Sequence, residues 1–199
     1  MASHSTFLYS KYDKNWDVNI YPGNYTIGGL FHVSNLSNGY HGILKQYWDE
    51  YQTGNRVLLI SENNTVKREF NAVYPNWIID TIDNYPEISK VYDVDIIGDI
   101  CNNISPITKK YNIIINQATL EHVYNPFQAM LNLANSLDTG GILVSHTHPP
   151  SQEYHQYPRD YFRFMIDWWI DLPKYIPQIE LLEVYMHNNA HVFSCYRKL

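Results

Sequence analysis

The segment from Tyr111 to Gly141 constrains the fold of this chain more than any other. It opens on Ile113-Ile114-Ile115, an aliphatic run too short for a helix and bounded by polar residues, which reads as a strand buried on both faces. Asn116 and Gln117 place polar side chains at the carboxyl end of that strand, and Leu120-Glu121-His122-Val123 follows. Asn125-Pro126 predicts a helix start, because Asn caps free N–H groups and Pro suits the first helical position. Phe127, Met130, Leu131, Ala134 and Leu137 recur at helical spacing, Gly140-Gly141 predicts the helix stop, and Ile142-Leu143-Val144 the next buried strand. A strand–loop–helix–strand unit with polar groups at the first strand's carboxyl end is half of a ligand crevice in an open α/β sheet.

The rest of the chain extends this pattern. Tyr40, Ile43, Leu44, Tyr47, Trp48 and Tyr51 fall on one helical face that ends at Gly54. Strands are expected over residues 55–61, 77–83 and 94–100, with a short helix over 67–73 between the first two. Downstream, residues 165–175 read as a helix, and residues 179–186 and 190–196 as two final strands. Residues 1–37 show no sustained period and read as an arm that either folds over a ligand as a lid or packs on the sheet. The expectation is one domain over 1–199, with an α/β core over 38–199, either whole or cut from a longer protein.

Composition narrows the function classes. A net charge of −6 argues against a nucleic-acid surface, which is normally strongly basic. No run is long enough to span a bilayer, and Met-Ala-Ser-His-Ser-Thr lacks the apolar core of a signal peptide. Cys101 and Cys195 are far apart and form no metal-type pair, which fits a reducing, cytoplasmic setting. The 18 tyrosines and 5 tryptophans suit sugars and other flat or weakly polar ligands, although packing accounts for most of them.

The order strand, Leu-Glu-His-Val, Asn-Pro-Phe, helix, Asp-Thr-Gly-Gly, strand resembles the second half of a class I S-adenosylmethionine-dependent methyltransferase. The pattern is similar to that of methyltransferase domain family 11, and the segment His155-Gln156-Tyr157-Pro158-Arg159-Asp160-Tyr161-Phe162-Arg163-Phe164 carries the most specific match. The resemblance covers about residues 40–199 and implies a Rossmann-like, mostly parallel seven-stranded sheet. It also implies a C-terminal antiparallel hairpin, helices on both faces, and S-adenosylmethionine at the carboxyl edge. By the same resemblance Asp83, with Asp80 as fallback, meets the ribose; Asp99 takes the adenine amine and Ile100 packs on its ring. Asn116 and Gln117 line the carboxyl edge, and Ser61, Glu62 and Asn63 meet the methionine part. Here the chain departs from the family: Ser61-Glu62-Asn63-Asn64-Thr65 holds no glycine where the family has a glycine-rich turn. Asn63-Asn64 is expected to supply the left-handed conformation instead.

Methyl transfer is an in-line displacement that needs an aligned acceptor and, for a hydroxyl, removal of its proton. His122, His146, His148 and His155 lie on the acceptor side of this scheme. His148 or His155 is the expected base with Asp160 orienting it, while His122 acts in catalysis or braces its loop. Arg159 and Arg163 bind an anionic group, or Arg163 pairs with Asp160. His146 and His148, with Glu153 or His155, offer metal-type donors, but nothing in the sequence fixes their geometry and no metal is assigned. The expected activity is O-methylation of a small-molecule hydroxyl such as that of a sugar or glycan. The alternative is a methyltransferase-like binding or assembly module without activity, and no membrane or nucleic-acid partner is expected.

Overall fold

The computed structural model describes residues 8–10, 39–84, 93–155, 159–187 and 189–199. Among the described residues eight strands form one sheet: β1 (Leu8–Ser10), β2 (Arg56–Ile60), β3 (Ile78–Asp83), β4 (Ile96–Ile97), β5 (Tyr111–Gln117), β6 (Leu137–Thr147), β7 (Ile179–His187) and β8 (His191–Lys198). Their order in space is β1-β7-β8-β6-β5-β2-β3-β4. Strands β4, β3, β2, β5 and β6 run parallel, and β7 and β8 close the sheet as an antiparallel hairpin. This is the expected seven-stranded arrangement. An eighth strand is added at the edge, where β1 pairs antiparallel with β7. The rest of the expected N-terminal arm, residues 1–7 and 11–37, lies outside the described residues.

Alternation along the strands builds two cores. Val57, Leu59, Ile113, Ile115 and Val144 face helices α1 (Gly39–Tyr51) and α2 (Asn64–Val73), which contribute Leu44, Trp48, Val66 and Phe70. Leu58, Ile60, Ile114 and Leu143 face the opposite way, against α3 (Pro126–Ser136) and α4 (Ile166–Tyr175), which contribute Met130, Leu133, Trp169 and Leu172. Burial on both faces is why the central strands are continuously aliphatic. Much of the aromatic content is packing: Tyr74 stacks on Trp77 at 4.1 Å, and Trp48 donates its indole N–H to the Tyr74 hydroxyl at 3.0 Å.

Several boundaries differ from the sequence expectation. The strand expected over 94–100 is only Ile96–Ile97, because the chain turns at Asp99, whose carboxylate accepts the Cys101 N–H at 2.8 Å. Helix α3 begins at Pro126 under an Asn125 cap as expected, but it ends at Ser136 and β6 starts at Leu137, five residues earlier than the aliphatic run suggested. Gly140-Gly141 therefore lies inside a strand. Gly140 has φ +78, and a Cβ on Gly141 would sit 2.9–3.1 Å from the carbonyls of Asp138, Tyr111 and Asn112. The glycines let β6 press on β5 where their register shifts between Tyr111 and Ile113. Among the described residues no helix is long and apolar enough to cross a membrane.

Candidate functional site

The carboxyl ends of β5 and β6 carry the polar residues. After Gln117 the chain reverses at Ala118 (φ 47), whose N–H donates to the His146 carbonyl at 2.9 Å, and enters a single 3-10 turn, Leu120–His122. The turn drives Glu121 inward until it is 0 % exposed. There one carboxylate oxygen accepts His148 Nδ1–H at 2.5 Å and the other accepts the Thr147 hydroxyl at 2.7 Å. Burial pushes the Glu121 carboxyl up, but the His148 hydrogen bond and charge, with Thr147, outweigh it and hold the group below the usual carboxylate range. With Nδ1 held by Glu121, His148 turns its other ring nitrogen, Nε2, into a buried position without a protein partner among the described residues.

The segment after residue 159 is laced onto this pair. Tyr161 and Phe162 donate backbone N–H groups to the Glu121 carbonyl at 2.7 and 3.2 Å, and Phe164 donates to the His148 carbonyl at 3.1 Å. Asp160 is fully used within the segment: it accepts the His155 N–H at 2.8 Å and both Nη groups of Arg163. Arg163 also donates to the carbonyls of Gln152 (3.0 Å) and Glu153 (2.7 Å), so it clamps the loop rather than offering an anion site. Asp160 thus does not meet His148; the carboxylate that does is Glu121. The His155 ring is 31 % exposed, packs edge-on against both His148 and His122 with centroids 4.9 Å apart, and stands 3.8 Å from Asp160. Burial lowers its pKa, which keeps the ring neutral at neutral pH. His122 Nδ1 meets the carbonyl of Arg159 at 2.5 Å, so it braces the segment, while Arg159 itself is exposed.

His146 and His191 complete a histidine cluster. They stand on β6 and β8 at the same end of the sheet, with His146 Nε2 and His191 Nδ1 2.9 Å apart. His146, His148 and His191 are 2 %, 3 % and 2 % exposed, and one donor atom from each lies within 4.8 Å of the others. Burial pushes His191 down to about 3, with His148 and His187 nearby adding to the effect. Glu153, named with His146 and His148 from the sequence, is exposed. Two of the cluster's members were not anticipated. Glu121 lay in the quoted Leu-Glu-His-Val, but only the turn at Ala118 aims it inward. His191 is brought in by the β6–β8 pairing, which no local pattern announces.

On the other side of the crevice, the turn after β2 differs from expectation. The left-handed residue is Ser61 (φ 56), not Asn63 or Asn64. Asn63 is extended and buried, and its side chain caps α2 by accepting the N–H groups of Thr65 and Val66 at 2.8 and 3.2 Å. Asn64 donates its N–H to the Asp93 carbonyl at 3.0 Å. Glu62 is buried beside them. Asp83 ends β3, and its carbonyl accepts the Gly98 N–H at 3.0 Å. Asp80 lies within β3, where its Oδ2 accepts Lys109 Nζ at 2.8 Å and the Tyr111 hydroxyl at 2.7 Å. Asp99 stands half-buried in its turn, and Ile100 is buried in the α3-side core. Asn116 and Gln117 each turn a buried carbonyl oxygen toward no protein partner among the described residues.

No family model matches the sequence, that of family 11 included, and neither does any curated protein. Solved structures do match. The CcbJ methyltransferase from Streptomyces caelestis superposes with a TM-score of 0.57 at 12% identity, over 78% of this chain and 94% of that one. The N-methyltransferase NodS from Bradyrhizobium japonicum WM9 gives 0.53 at 13% identity, over 80% and 94%. The plantazolicin methyltransferase BpumL, in complex with SAH, gives 0.56 at 13% identity, over 80% of each chain. At such identities the similarity establishes architecture alone, and the architecture is the Rossmann-like fold of class I methyltransferases.

Proposed function

We propose that the protein is an S-adenosylmethionine-dependent methyltransferase that acts on a hydroxyl of a small molecule, such as a sugar or glycan. The observation that carries this reading is the buried Glu121–His148 pair at the carboxyl end of the sheet, with Nε2 of His148 turned to no protein partner. A hydroxyl is too weakly acidic to attack a sulfonium unaided, and this pair lowers the cost of removing its proton. The cofactor lies across the crevice in this reading, with Asp83 at the ribose, Asp99 and Ile100 at the adenine, and Ser61 to Asn63 near the methionine part. The unpartnered carbonyl oxygens of Asn116 and Gln117 are acceptors suited to its amino group. Beside the cluster, Tyr124 (79 % exposed) and Tyr161 (41 %) meet edge-to-face at 5.8 Å and present aromatic faces of the kind that sugars stack on. Localisation in the cytoplasm belongs to the same proposal.

Calorimetry with S-adenosylmethionine, followed by transfer to a panel of hydroxyl acceptors, tests it. One binding site and a methyl ether product are expected. His148→Gln is expected to lower kcat by about 10²–10⁴-fold, the usual size of proton-transfer catalysis, with cofactor affinity unchanged. No heat and no thermal shift at millimolar cofactor would end the reading. That outcome belongs to the second one, a binding or assembly module without activity. It is favoured by the start of α2, where Asn64, Thr65 and Val66 already spend their N–H groups on protein acceptors.

A further inference from the structure

We propose that His146, His148 and His191 bind a divalent transition-metal ion, zinc fitting best, and that this ion holds the acceptor oxygen; only the second half rests on the methyltransferase reading. All three imidazoles are buried at one end of β6 and β8, and their donor atoms already lie within 4.8 Å of one another. A tetrahedral ion with bonds of about 2.0–2.1 Å holds such nitrogens roughly 3.3 Å apart, so small ring movements complete the site. His146 Nε2 and His191 Nδ1 already meet at 2.9 Å, a hydrogen bond whose shared proton an incoming cation displaces. A set made only of imidazoles favours zinc, copper or nickel over magnesium or calcium.

The second observation is at His148. Its Nδ1–H is held by the Glu121 carboxylate, the outer partner that metal-bound histidines commonly have, and its Nε2 is buried with no protein partner among the described residues. The two other donor groups, Glu121–His148–His155 and His122–His155–Asp160, lack this quality. In the first, both Glu121 oxygens are engaged by His148 and Thr147; in the second, Asp160 is engaged by Arg163. Three protein ligands leave one tetrahedral position open, the ligand count of catalytic rather than structural zinc. A hydroxyl oxygen in that position becomes more acidic under the ion's charge. With His148 Nε2 spent on the ion, the Glu121–His148 pair acts through the ion and not as the base: the O–H bond breaks and the proton leaves to solvent. The oxygen's electron pair then forms the O–CH3 bond as the S–CH3 bond breaks, giving a methyl ether and S-adenosylhomocysteine.

The test uses the full chain without an affinity tag, stripped by chelator and titrated with zinc or cobalt(II) alone. One equivalent is expected to bind, with a tetrahedral nitrogen-ligand visible spectrum for cobalt. Glu121→Gln is expected to weaken binding about 10–100-fold and His191→Ala to weaken it further, whereas His155→Gln leaves it within about threefold. X-ray absorption on the zinc form of the unaltered protein, with three imidazoles expected, keeps the test independent of how the variants fold. Binding weaker than millimolar, fewer than three imidazoles, or loss in His155→Gln with retention in His191→Ala overturns the site. Full turnover in ion-free protein overturns the ion's role while leaving the methyltransferase standing. A bound ion with this signature and no methyl transfer to any acceptor upholds the site and ends the acceptor role together with the reading it rests on.

Discussion

The carboxylate of Asp160 is 1 % exposed, and burial alone would raise its pKa. The Arg163 guanidinium and the His155 N–H outweigh that cost and hold the group at about 2, against about 3.9 in an unfolded chain. A depressed carboxylate stabilises the fold fully above its unfolded pKa, and the contribution is lost as pH falls through the folded value. Asp160→Asn is therefore expected to flatten the fall in Tm between about pH 4 and 2, which thermal unfolding across that range measures. The sequence pointed to this loop and to its histidines, and it left open whether Arg163 paired with Asp160 or bound a ligand. It did not identify which carboxylate meets which ring. That pairing depends on a one-residue reversal at Ala118 and on cross-strand register, both of them tertiary facts. Asp160 stands 3.8 Å from the His155 ring but does not meet His148; Glu121 and His191 reach the cluster through the fold.

Elements were easier to read than side-chain partners, because a buried parallel strand and an amphipathic helix each repeat their signal over several residues. The strands and helices of the core all exist close to where periodicity put them. Boundaries failed where a local polar bond or a backbone approach overrode the apolar pattern, as at Asp99 and at Gly140-Gly141. Helix α2 is an instance: it begins three residues before the expected Lys67 because Asn63 caps it. The cap is buried and satisfies two N–H groups, so Asn63→Ala is expected to cost about 1 kcal/mol of unfolding free energy, read by urea denaturation. Because the same side chain shapes the turn beside the crevice, cofactor affinity measured on this variant reports how closely the turn and the ligand are coupled.

At the scale of the molecule, the proposed function makes the cofactor and the sheet stabilise each other. A ligand that binds only the folded state at about a hundred times its Kd adds about 2.7 kcal/mol, which for a domain of this size raises Tm by roughly 5–10 °C. Differential scanning with and without S-adenosylmethionine measures it. The acidic net charge of −6 fits a small neutral acceptor or a cationic cofactor better than a polyanion. The edge strand β1 has a consequence in time rather than in space. Leu8 pairs with Tyr185, so almost the whole chain lies between two neighbouring backbone segments. Closing so long a loop is slow, and the closure is rewarded only once β7 has its place in the sheet. The earliest of the described strands is the last to find its partner, and until it does, the outer edge of β7 is an open template for a strand from another molecule.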